Sequence, residues 1–431
     1  MKILWISYYF YPLSGVGPNK NTFLVEEFER KGHNILVLTS NPNKFNTIIE
    51  NLHKDNKVFN TIRIPSIANH IFLNKIVKGI KKLLKKHKTY NEKNIESYSI
   101  KVNGIKKFIK DIINFIDYQH SWFIMWKINK FRYIYSIKKF NPDIIYVSTP
   151  PHTGILIAND IKKSINKPVV LEYRDLWTGS HHYNKVNILK KLEYKLEKRL
   201  LKNIDFFIFA TQGIANKHNK IFGYKNYKVI YNFFVNRVHC DTITNSKEII
   251  FIYAGTLLNQ YNYDVFIKGL EKLILNKNLK IKVKIYSSNG NILKKYIKNK
   301  KLLEIFEFGY ETDINKLDKL HCQSSIFITF LFSKKFRGVV SSKNFYYLNF
   351  NKPIFVFGIN ECQEVKQVLQ NNYFFINNVK KFVQEIEKYT KNSLNYKNSQ
   401  YYINSHSLKN RAILLEDIFK NIIEDYTELT K

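Results

Sequence analysis

Two short stretches place side chains capable of chemistry directly after strand-like runs. In "KPVVLEYRDLW" Arg174 and Asp175 follow the apolar run 169–172, and in "STPPHTG" Thr149 and His152 follow the run 144–148. If both runs are parallel strands of one sheet, the four polar groups meet at its carboxyl edge, where α/β proteins hold their ligands. There Asp175 can orient a nucleophilic hydroxyl or accept its proton, and Arg174 can grip an anion with its planar fork. A structural arrangement competes: Asp175 capping a helix, and Arg174 paired with it or with Glu172. A third stretch, "SGVGP", puts Gly15 and Gly17 ahead of a helix-like segment, so that backbone N–H groups can approach a phosphate or sugar. It carries no Walker lysine and does not match GxGxxG. His181 and His182 lack a third ligand at a recognisable spacing, so no metal site is expected.

These groups need a scaffold, and the hydrophobic pattern supplies one. Run 3–7, the glycine loop, a helical face of Phe23, Leu24 and Phe28, a stop at Gly32 and run 35–39 form a strand, helix, strand unit. Such a unit is parallel and right-handed. The pattern returns at 144–148, 169–172 and 206–210. After "KVIYNFF" the polar residues 236–248 lead into a second series at 249–254, 281–286, 305–308, 325–330 and 353–357. A chain of 431 residues exceeds what one core organises. The expectation is therefore an α/β protein of two Rossmann-like domains facing a cleft, 1–235 and 236–405, with a last segment at 406–431.

Residues 71–140 interrupt the first series with 17 Lys and Arg against 4 Asp and Glu, within a chain of net charge +36. "IFLNKIVKGIKKLLKK" sets Leu73, Ile76, Val77 and Ile80 at helical spacing among Lys78, Lys81, Lys82, Lys85 and Lys86. Basic amphipathic helices with aromatic neighbours suit the headgroups of an anionic membrane. The competing arrangement packs the apolar stripes on the domain and leaves only the lysines in water. Nucleic acid is disfavoured, because the lysines accompany amphipathic stripes rather than a recognition module. Cys240, Cys322 and Cys362 are odd in number and far apart, offering neither a disulfide framework nor a CxxC metal site, which fits a reducing compartment. The N-terminus reads as a first strand. No apolar run approaches the ~18 residues that span a bilayer, so a cytoplasmic, peripheral protein is expected.

Seven segments, "MKILWISYYFYPLSGVGPNK", "NPDIIYVSTPPHTGILIA", "KPVVLEYRDLW", "KVIYNFF", "IYAGTL", "FEFGYETDINKL" and "SSKNFYYLNFNKPIFVF", occur in the order and nearly the spacing of the family-4 retaining glycosyltransferases of GT-B type. The chain most resembles the branch that builds bacterial surface polysaccharides. The resemblance implies an acceptor-binding first domain, a nucleotide-sugar-binding second domain and a last helix that crosses back. It places Gly15 and Gly17 near the donor phosphates and sugar, Gly255 after the second domain's first strand, and Gly309 with Tyr310 beside the base. Lys343 falls on the lysine of the family's "KxxEYL" segment and Asn232 on the crossover asparagine. The implied donor is a nucleotide-sugar, a UDP-sugar first, with no separate cofactor; the implied acceptor is a membrane-borne glycan or lipid-linked sugar. Two departures stand out. The family's paired glutamates fall on Gly338 and Tyr346, and Arg174 stands where many members have a His at a strand end. A non-catalytic glycan- or lipid-binding member of the fold is the alternative that the missing glutamates favour.

Overall fold

The computed structural model describes residues 1–13, 16–41, 58–65, 118–180, 187–224, 226–235, 240, 248–259, 261–275, 279–311, 313–331, 338, 340–391 and 400–430. Gly15 and the lysines Lys78, Lys81, Lys82, Lys85 and Lys86 lie outside the described residues.

The first half runs β1 (Lys2–Ile6), α1 (Val16–Arg30), β2 (Asn34–Ser40), β3 (Thr61–Ile64), α2 (Tyr118–Ile128), α3 (Lys130–Phe140), β4 (Ile144–Thr149), α4 (Thr153–Ile165), β5 (Val169–Tyr173), α5 (Asn187–Leu201), β6 (Phe206–Phe209), α6 (Gln212–Phe222) and β7 (Tyr227–Val229). The second runs β8 (Glu248–Ala254), α7 (Asp264–Leu273), β9 (Lys280–Tyr286), α8 (Asn291–Lys294), α9 (Lys300–Glu304), β10 (Phe306–Gly309), α10 (Ile314–Cys322), β11 (Ile326–Phe330), α11 (Ser342–Leu348), β12 (Ile354–Phe357), α12 (Gln363–Leu369), β13 (Tyr373–Ile376), α13 (Val379–Thr390), α14 (Gln400–Ser405) and α15 (Leu408–Thr430).

The strands form two wholly parallel sheets, seven-stranded in the order β3-β2-β1-β4-β5-β6-β7 and six-stranded in the order β10-β9-β8-β11-β12-β13. The expected α/β class with two parallel sheets is the one observed. Strands β4 and β5 are buried along their whole length, as strands covered on both faces by helices must be. Helices α2 to α6 cover one face of the first sheet through Trp122, Trp126, Ile155 and Leu201. α1 and α15 cover the other, with Phe28, Ala412, Leu415 and Phe419 packed on Trp5 and Tyr146. α15 thus returns the chain's end to the first sheet. Where it does so, Phe234 N donates to His406 O and Leu408 N to Phe234 O, each at 3.0 Å, so the two passages between the halves are paired.

The cysteine expectation is corrected. Cys240 and Cys322 are joined in a disulfide with Cα atoms 5.3 Å apart, and only Cys362 is free. Their separation of 82 residues hid the pairing, which sets Cys240 beside the last residue of α10. Among the described residues, no helix is long and apolar enough to cross a membrane.

Candidate functional site

Glu172 is the one carboxylate on the buried strand β5, and a charge in that position demands partners. It has four. Lys20 Nζ on α1 donates to Oε1 at 2.7 Å, and Tyr146 OH and Ser148 Oγ on β4 donate to Oε2 at 2.7 and 3.0 Å. Arg411 on α15 adds an ion pair to Oε1. Burial alone would raise the carboxyl pKa; Lys20, Arg411 and Arg174 reverse this and hold it far below the usual range. Lys20 is pushed down to about 7, first by burial and then by Arg411, against the attraction of Glu172. Lys20 also donates to Asn232 Oδ1 at 3.1 Å, and Arg411 to the carbonyl of Tyr231 at 2.9 Å. The crossover segment is thereby tied to the sheet by side chains from α1 and α15.

Three cations around one carboxylate leave positive charge over, and Arg174 carries it toward the sheet's carboxyl edge. Its Nε donates to Thr149 O at 3.2 Å and its Nη2 to Pro150 O at 3.3 Å. Nη1 has no acceptor among the described residues. A Cβ on Gly17 would lie 3.2 Å from that Nη1, so glycine lets the guanidinium rest against the first turn of α1. The N–H groups of that turn lack intrahelical partners, and the helix dipole adds to Arg174 in favouring an anion.

Asp175 follows in a bend, and the chain is not helical again before Asn187 among the described residues, so the helix-cap arrangement is set aside. Thr149 stands at the carboxyl end of β4, its hydroxyl donating to Glu172 O at 2.8 Å. His152 begins α4 and stacks on Trp177 with centroids 5.8 Å apart and planes 6° from parallel.

In the second half, β8 ends at Gly255, whose φ of +131° is open to glycine and to few other residues. The space a Cβ would fill there belongs to Lys343, with Cε 2.5 Å and Nζ 3.0 Å from that point. Lys343 comes from α11, which docks on β8 through a hydrogen bond from Ala254 N to Tyr347 OH of 3.2 Å. Its Nζ sits 5.0 Å from the centre of the Tyr253 ring, and burial lowers its pKa to about 8. No carboxylate pairs with it among the described residues. An ammonium seated on a ring and a glycine, without a counter-ion, is a place for an incoming anion.

Gly309 closes β10 against the ring of Tyr286, and Tyr310 beyond it is 64% exposed. Tyr346 OH donates to Asp318 on α10, so the phenol is engaged within the second half. Gly338 has φ +97° and lies against Gly213 at the start of α6, while its carbonyl accepts from Thr211 Oγ1. Glu364 of α12 reaches Gly213 as well. Backbone from the two halves touches here, and a side chain at position 338 would meet Gly213 at about 3.1 Å, which gives the glycine a steric basis.

The structure thus unites Gly17 with Arg174, Gly255 with Lys343, and Asn232 with Lys20. A polar depression lined by Glu361, Tyr373, Lys381 and Glu385 at the edge strand β13 contains none of the expected residues. Sequence reasoning missed Lys20 and Arg411; the available signal was Glu172 inside an otherwise apolar strand.

Residues 106–234 match the model of Glycosyltransferase Family 4, a stretch that includes β4, β5 and the Arg174–Asp175 pair. The sequence matches no curated protein. Among solved structures, a glycosyltransferase from Rickettsia africae superposes with TM-score 0.62 at 16% identity, covering 98% of each chain. Sucrose-phosphate synthase from Thermosynechococcus elongatus gives 0.63 at 10% identity, over 98% of this chain and 99% of that one. HepE from Anabaena in complex with UDP and glucose gives 0.59 at 12% identity, over 98% and 100%. At these identities the likeness is one of fold, the GT-B arrangement of two parallel α/β sheets.

Proposed function

We propose that the chain is a nucleotide-sugar-dependent glycosyltransferase of family 4. It moves a sugar, with retention of configuration, from a UDP-sugar to a membrane-associated glycan or lipid-linked acceptor. The setting is surface-polysaccharide synthesis on the inner face of the cytoplasmic membrane, with residues 1–235 receiving the acceptor and 236–405 the donor.

The observation that carries this reading is Lys343: a partly buried ammonium without a carboxylate, fixed by Gly255 and Tyr253, with its pKa lowered to about 8 by burial. A diphosphate leaving group supplies the missing counter-charge, and it gains negative charge as the bond from the anomeric carbon breaks. Arg174 and the first turn of α1 offer a second contact of the same sign, with Gly17 as the point of close approach. Asp175 takes the proton of the acceptor hydroxyl as its oxygen bonds to the anomeric carbon. Tyr310 offers an exposed ring to a base. The cations of the chain meet the diphosphate, and the reading requires no divalent metal. Gly15, Thr149 and His152 complete the loops around the proposed cleft. The UDP and glucose of the HepE structure support the choice of uridine donor.

A second reading, a non-catalytic glycan- or lipid-binding member of the fold, is favoured by one specific observation: Gly338 and Tyr346 supply no carboxylate, and the Tyr346 hydroxyl is engaged by Asp318. A panel of nucleotide-sugars, each tested for thermal stabilisation and for release of free sugar, separates the two. Stabilisation with sugar release by at least one donor is expected. Stabilisation without release or transfer, even with membrane-derived acceptor present, would leave only the binding role.

A further inference from the structure

The first sheet carries an outward apolar stripe that neither core nor site accounts for. On α2 and α3, Trp122, Trp126, Ile134 and Ile137 are buried against the domain, and both helices pack on α4. The opposite side presents Ile124, Ile128, Phe131 and Tyr135, exposed to 47, 67, 90 and 72%. Two lie four apart on α2 and two lie four apart on α3, so a single stripe crosses the elbow at Asn129. Isolated exposed apolar residues are ordinary; a stripe of four, two of them flanking a corner, is an interaction surface.

Charge indicates what covers it. Residues 118–142 contain no Asp or Glu, and Lys127, Lys130, Arg132, Lys138 and Lys139 surround the stripe. Asp160 on α4 partly neutralises Lys127 and Lys130, at 2.6 and 3.9 Å. Arg132, Lys138 and Lys139 are exposed and form no ion pair among the described residues. An anionic lipid bilayer offers both complements at the right depths, negative headgroups for the flexible cations and hydrocarbon one side chain further in. Tyr135, with an apolar ring and a polar tip, suits the boundary between them.

α2 begins near the sheet's carboxyl rim, with Trp122 against Gly154 and Tyr8, and runs along α4 until Trp126 Nε1 donates to Asp160 at 3.1 Å. Lys127 and Lys130 on either side of the elbow both face Asp160, so Ile128 and Phe131 stand on the flank of the helical layer, part-way along α4 from the rim that carries His152 and Arg174. We propose that the α2–α3 elbow inserts Ile128 and Phe131 into an anionic bilayer and docks the first half on the surface from which a lipid-linked acceptor is taken. The role in acceptor capture rests on the glycosyltransferase reading; the docking itself does not.

The test uses the full chain and vesicles of phosphatidylcholine with or without phosphatidylglycerol. Replacing exposed side chains leaves the core intact, so the double variant Ile128→Ser/Phe131→Ser should melt as the wild type and keep its sugar-release activity. Its partitioning to anionic vesicles should fall about tenfold or more, and Arg132→Gln/Lys138→Gln/Lys139→Gln should lose the preference for phosphatidylglycerol. Phe131→Trp should show a blue-shifted emission component on adding anionic vesicles. Unchanged sedimentation of the double variant overturns the proposal. So does a wild-type dimer that the double variant converts to a monomer, or protection of Phe131 by the chain's own 71–116 segment in crosslinking without vesicles. Loss of sugar release in every form, with vesicle binding intact, would refute the enzyme reading and leave the docking standing.

Discussion

Replacing Glu172 by Gln puts the buried charge cluster under the sharpest test. The side chain keeps its shape and one acceptor oxygen, but Lys20 and Arg411, 6 and 2% exposed, lose the carboxylate they share. Breaking a buried ion pair from one side costs about 3–5 kcal/mol, because the remaining charge is stranded. At about 2–4 °C per kcal/mol for a domain of this size, the melting transition of the first half should fall by roughly 6–20 °C. Calorimetric melting together with urea unfolding reads this directly. Adding Lys20→Met to Glu172→Gln should restore part of the loss, with a coupling of about 0.5–3 kcal/mol. The pH sign follows from the depressed carboxyl: its contribution is complete above the unfolded value of 4.5 and is lost as pH falls through the lower folded value. Wild type and variant should therefore converge only in strong acid. A Glu172→Gln protein within about 1 kcal/mol of wild type at neutral pH, or an uncoupled double variant, would refute the reasoning.

Three further outcomes are expected. Asp175→Asn should fold normally yet lose about 10²-fold or more in transfer to acceptor, since an amide cannot take a proton; full transfer in a coupled product assay would return Asp175 to a structural role. Donor affinity, followed by titration across pH, should be flat below about 8 and weaken above it as free Lys343 deprotonates, with proton uptake on binding near pH 8; an unbroken plateau to pH 10 would exclude the lysine. Alkylation of the denatured, unreduced protein should label Cys362 alone, and the mass of a triply labelled chain would show that Cys240 and Cys322 are not bridged.

The parallel sheets were legible because β4, β5, β11 and β12 are predominantly apolar runs, the signature of strands buried on both faces. The edge strands β3 and β13 escaped notice: each is four residues long and only partly buried, so neither a run nor an alternation marks it. At the site, the sequence reading named Gly17 and Arg174 from strand ends and Gly255 and Lys343 from the family resemblance. It did not find Lys20 and Arg411, which meet Glu172 across 152 and 239 residues. Nor could it foresee that position 338 is where the two halves touch, because that contact depends on how one half rests on the other. Thr149 stands at the strand's carboxyl end as the spacing implies, and the hydrogen bond of its hydroxyl to the neighbouring carbonyl of Glu172 is a contact that only the paired strands reveal.

Calorimetric titration of UDP and of uridine into wild type and Lys343→Ala addresses the donor site directly. The account predicts that wild type binds UDP more tightly than uridine, and that the variant loses about tenfold or more for UDP while its uridine affinity and melting temperature stay unchanged. No binding of UDP by wild type, or an equal loss for both ligands in a fully folded variant, would contradict the placing of a nucleotide diphosphate on Lys343.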